Sequence, residues 1–101
     1  MTEPVKPAVA MIHARIQELD AIEAKVRSDL NTVGGSEQVA KWKAKTIPLL
    51  AQQVGPKEAQ RFADTHPGPS FTSDLLEEFG DEVELYRSVL LAIAEQLKKA
   101  G

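Results

Sequence analysis

From Val9 to Val33, residues of one largely apolar face return every three or four positions: Val9, Ile12, Ile16, Leu19, Ile22 or Glu23, Val26, Leu30 and Val33. That spacing lines them along one face of an α-helix. Pro7 fits the first helical turn, where a missing N–H costs nothing, and Gly34-Gly35 is expected to end the run. The pattern predicts a helix from Pro7 to Asn31, with residues 1–6 as a flexible tail. About 25 residues at a rise of ~1.5 Å make a rod of ~37 Å, against a radius of gyration of ~13 Å for a compact domain of ~100 residues. Such a helix runs the length of the molecule. Either its neighbours line up along it, or one end overhangs and meets a second copy.

The rest of the chain divides in the same way, with no strand pattern. Ser36 offers an N-cap for a second helix whose apolar side is Val39, Trp42, Ile47, Leu49, Leu50 and Val54, ending at Gly55. Pro48 lies inside that run; it removes a backbone hydrogen bond and crowds the preceding turn, so a kink or break is expected near Thr46-Ile47. Pro56 opens a short third helix, Pro56 to Ala63, that turns Ala59 and Phe62 inward, and His66-Pro67-Gly68-Pro69 stops it. Thr72 or Ser73 is expected to cap a brief helical turn through Leu75, Leu76 and Phe79, closed by Gly80. Asp81 with Glu84 reads as a capping-box variant opening the last helix, along which Val83, Tyr86, Val89 or Leu90, Ile93 and Leu97 face inward. The fold class is all-α: a compact bundle of about four helices in a single domain, 1–101, with a long first helix, a Pro-kinked second and a short third.

A chain of 101 residues, 43% hydrophobic and 27% charged, has the makings of one globular core. That core is thin, and self-association is a natural way to complete it. The absence of cysteine removes disulfides, thiolate nucleophiles and thiolate-held metals, and suits the cytoplasm, where the chain is expected to work. No basic stretch followed by an apolar run opens the sequence, and no segment approaches the ~20 apolar residues that span a bilayer, so no membrane partner is expected. The net charge of −3 divides into −1 over residues 1–35, +2 over 36–69 and −4 over 70–101. This falls short of the clustered cationic face that neutralises phosphates, and nucleic-acid binding is not expected.

Residues for catalysis do not assemble. His13 and His66 lack a second ligand at metal spacing, no nucleophile–base pair stands out, and Gly34-Gly35-Ser36 lacks the lysine of a phosphate loop. No metal, cofactor or catalytic residue is therefore expected. Asp74, Glu77, Glu78, Asp81, Glu82 and Glu84 read as a solvated acidic face. The segment that most invites a function is Lys41-Trp42-Lys43-Ala44-Lys45. Lys41 and Lys45 lie one helical turn apart, and lysines beside an indole can hold a phosphate and stack a base. Trp42 also fits the apolar side of its helix as a core residue.

Two functions follow. The first is a non-enzymatic helical interaction module, a homodimer joined through the first helix at Ile12, Ile16, Leu19 and Val26, with the acidic segment 74–84 of one copy facing Lys41, Lys43, Lys45 and Arg61 of another. A further protein partner is compatible with it. The second is a binder of an anionic, nucleotide-like ligand held by Lys41, Trp42, Lys45 and Arg61.

The succession Trp42, Lys45, Leu49 or Leu50, Gly55 and Phe62, then Tyr86, Leu90, Ile93 and Leu97, resembles a small helical module. That module lies at the N-terminal side of bacterial defence and abortive-infection proteins, including nucleotide-binding and TIR-like effectors. The resemblance covers most of the chain and implies a helical interaction unit linked to antiphage defence. It carries over no effector chemistry.

Overall fold

The computed structural model describes residues 5–69 and 73–100. Four helices follow in order: α1 (Val5–Asp29), α2 (Thr32–Gln53), α3 (Pro56–Ala63) and α4 (Leu75–Ala100). The architecture is an all-α bundle with no strand among the described residues.

The long first helix forms, beginning at Val5, two residues ahead of Pro7; residues 1–4 of the expected tail lie outside the described residues. It ends at Asp29 rather than Asn31. Leu30 takes a left-handed backbone conformation (φ 60°) while its N–H reaches back to the Val26 carbonyl at 2.6 Å, which turns the chain out of the helix. The expected stop at Gly34-Gly35 is not used. Asn31 caps α2 instead: its side-chain oxygen accepts from the Gly34 N–H at 3.0 Å, so the glycine pair and Ser36 fall inside the first turns of α2. Gly35 serves packing, since a Cβ there would strike the Val26 side chain and come within 3.2 Å of the Phe79 ring.

Helical geometry runs through Pro48 without the expected break. The carbonyl that loses its partner is that of Ala44, an exposed residue, so the bond is given up on the wet side of the helix. Gly55, at φ 152°, makes the turn into α3, where Pro56 takes the first position as expected. Gly80 does not interrupt α4, and Asp81 does not open it. Asp74 is the cap: its side-chain oxygen accepts from Leu76 N–H at 3.0 Å and Glu77 N–H at 3.2 Å. Thr72, one of the two caps expected there, lies outside the described residues.

α2 and α4 each run antiparallel to α1, and so parallel to each other. Trp42 Nε1 donates to the Arg15 carbonyl at 2.8 Å while Gly35 abuts Val26, which sets α2 against α1. Arg87 bonds Asp20 and Glu23 while Arg27 lies beside Gly80, which sets α4 against α1. The neighbours thus line up along α1. Ile12, Ile16, Leu19 and Val26, expected at a dimer interface, are between 0% and 8% exposed inside one core with Trp42, Leu50, Phe62, Val83, Tyr86, Leu90 and Ile93. The apolar stripe meant for a partner is consumed within the protomer.

Candidate functional site

The third helix decides where the molecule is closed and where it is open. Its eight residues span ~12 Å, whereas the 22 residues of α2 span ~33 Å. From Gly55 it turns back along the C-terminal half of α2 and wedges between α2 and α4. Phe62 fills that wedge, with its ring edge-on to Trp42 at 5.8 Å and to Tyr86 at 5.9 Å between centroids. Lys43 lies across the top of the wedge. Its ammonium donates to the Thr65 carbonyl at 2.6 Å and sits 4.7 Å from the Tyr86 ring centroid. Burial pushes the Lys43 pKa down, against the opposing pull of Glu82 and Asp64. Tyr86 in turn donates to Glu82 at 2.9 Å, and burial together with that bond holds its hydroxyl above the usual tyrosine range.

Beyond Lys43 no third helix among the described residues fills the gap. Between the N-terminal turns of α2 and α4 lies a groove of about 350 Å³ lined by Thr32, Val33, Ser36 and Glu37 on one side and Leu75, Glu78, Phe79 and Glu82 on the other. That volume is at the lower end of ligand-site sizes, ~300 to 1,000 Å³. Val33 is 72% exposed and Leu75 62% exposed on its walls, while Phe79 is buried at its base. Leu30, the left-handed residue, is 66% exposed at the same end of the bundle. Isolated exposed apolar residues are ordinary, but Val33 and Leu75 share one concavity. Glu37, Glu78 and Glu82 border it, and no Lys or Arg is among its lining residues.

The residues expected from the sequence lie elsewhere. Lys41, Trp42 and Lys45 do come together, with Glu18, Ile22 and Gln38, around a separate cavity of about 250 Å³ between α1 and α2. Arg61, on α3, does not line it. Trp42 is 1% exposed, with Phe62 and Tyr86 against its ring and the Arg15 guanidinium carbon 5.9 Å from its centroid. A base cannot stack on it, so the core reading of Trp42 holds and the platform reading does not. Lys43 is engaged inside the protomer and is not offered to another copy. Arg15 was given no role by the sequence, yet it ties α1 to α2 through Thr46 Oγ1 at 3.1 Å and the Trp42 carbonyl at 3.4 Å. His13 and His66 are exposed, and among the described residues no group of three or more His, Asp or Glu side chains is placed to hold a metal ion. Among the same residues no helix is long and apolar enough to cross a membrane.

Sequence reasoning missed the groove. Val33 looked like the last member of the α1 stripe, and Leu75 like part of a brief turn. The available signal was acidic: Glu37, between Ser36 and Gln38, and Glu78, between Glu77 and Phe79, have no basic residue beside them in sequence. Compared with known proteins, the chain matches no family model, no curated protein and no solved structure. The groove's own residues therefore carry the functional reading.

Proposed function

We propose that the chain is a non-enzymatic helical interaction module whose docking surface is the groove between the N-terminal turns of α2 and α4. The observation that carries this is Val33 and Leu75, exposed on facing walls of one concavity above the buried Phe79. Burying such residues against a partner is favourable by roughly 25 cal/mol per Å² of apolar surface, and the fold leaves that term unused. The resemblance to modules that precede effectors in bacterial defence proteins fits a unit whose work is to hold another protein, and on that resemblance alone we extend the proposal to antiphage defence. The joining of two copies through α1 is not part of the reading, because its residues are spent in the core.

The test is the mass of the particle isolated at native abundance from its source organism, by size-exclusion chromatography with light scattering. The chain is expected to travel with a second polypeptide at fixed stoichiometry. Val33→Glu combined with Leu75→Glu is expected to elute alone at its 11.0 kDa chain mass. A lone wild-type particle under the same conditions contradicts the proposal.

A further inference from the structure

Resting on that docking reading, we infer that the groove's occupant is an amphipathic helix of a partner protein whose apolar stripe is flanked by Lys or Arg. Shape and charge both lead there. The groove lies between the N-terminal turns of two helices that both run antiparallel to their common neighbour α1 and so parallel to each other. A helix satisfies its own backbone hydrogen bonds and inserts apolar side chains at three- and four-residue spacing, so it completes the bundle as α3 does through Ala59 and Phe62. No strand edge is available among the described residues to recruit an extended peptide.

Charge then selects among helices. Glu37 and Glu78 border the groove with no ion pair to any described residue, and Glu82 is held on its wall by Tyr86. Glu77 and Asp81 stand on the same turns of α4 and add to the negative field. An acidic helix would be repelled, and a neutral one would leave this field uncompensated; Lys or Arg beside the apolar stripe answers it. The same argument disfavours a second copy. Two grooves facing each other across a two-fold axis would set Glu37, Glu78 and Glu82 against their own counterparts, and this chain's apolar helix faces are already buried.

The experiment uses two designed helical peptides that share one Leu/Ala stripe, one flanked by Lys and Arg, the other by Glu. Each is titrated into the full isotope-labelled chain and followed by the backbone amide resonances. The basic peptide is expected to shift Val33, Ser36, Glu37, Glu78 and Phe79, to weaken as salt is added, and to bind about tenfold or more tightly than the acidic one. Glu37→Lys with Glu78→Lys, both at exposed positions, is expected to reverse that order while leaving resonances outside the groove in place. Equal or tighter binding of the acidic peptide overturns the inference, as does failure of both peptides to move the groove resonances, or movement of the same resonances with protein concentration alone, which marks a second copy. The docking reading fails separately: it falls if the native particle is a lone chain, and stands if a groove-dependent complex forms through an acidic or neutral segment.

Discussion

Between α2 and α4 the bundle has a closed half and an open half, built from the same two helices. In the closed half, Phe62 meets Trp42 and Tyr86 edge-on, Lys43 lies over the Phe62 and Tyr86 rings, and Trp42, Phe62 and Tyr86 are at most 3% exposed. In the open half, Val33 and Leu75 face solvent across a groove edged with glutamates. The difference comes from the length of α3. Gly55 and Pro56 start it, and it is spent after eight residues, so that among the described residues no helix occupies the space above Lys43 as α3 does below. Apolar residues in the closed half hold the fold together; those in the open half are surplus to it.

The sharpest way to break this contrast is Phe62→Ala, which empties the wedge and is expected to lower unfolding free energy by about 3–5 kcal/mol in chemical denaturation. Gly35→Ala comes next. The new methyl meets the stiff Val26 side chain and the Phe79 ring where α1, α2 and α4 come closest, and overpacking there is expected to cost about 1–3 kcal/mol.

Tyr86→Phe is milder, about 0.5–1.5 kcal/mol near neutral pH, because it removes the single bond to Glu82. Its pH dependence is the more telling readout. Folding raises the Tyr86 pKa, so the neutral phenol is favoured in the fold; that contribution is complete below the ordinary tyrosine value of about 10 and is lost as pH rises beyond it. Wild type and Tyr86→Phe are therefore expected to converge in stability above about pH 10. Smallest of all are Val33→Ser and Leu75→Ser in the open half, expected to move stability by no more than about 0.5 kcal/mol while weakening docking. A loss of several kcal/mol from either would mean that the open half also supports the fold.

Much of this was legible in the sequence where the signal is local. The stripe Ile12, Ile16, Leu19 and Val26 specified α1, and Gly55-Pro56 with Ala59 and Phe62 specified α3 and its inward face. Local punctuation misled where tertiary contacts set the outcome. Gly34-Gly35 reads as a helix stop, but Gly35 is small because Val26 and Phe79 crowd it, a fact supplied by residues 9 and 44 positions away. Gly80 likewise reads as a stop, yet α4 runs through it, and only the guanidinium of Arg27 lies within 3.2 Å of where its Cβ would be. Asn31 and Asp74 capped helices one turn or more before Ser36 and Asp81: Leu30 had already turned the chain ahead of Asn31, and the Asp74 carboxylate takes the first N–H groups of α4. As for the site, the sequence drew attention to Lys41, Trp42, Lys45 and Arg61 through composition. The groove was invisible because it is a shortfall in the length of one helix beside two others, and no single segment records that.

The most direct measurement is photo-crosslinking in the source organism from a reactive side chain placed at Val33, Leu75 or Leu91, the last an exposed apolar residue of α4 that does not line the groove. Strong, saturable crosslinks to one and the same protein from positions 33 and 75, with little from 91, are the predicted result. Equal yields from all three positions, or none from 33 and 75, would contradict a docking site between α2 and α4.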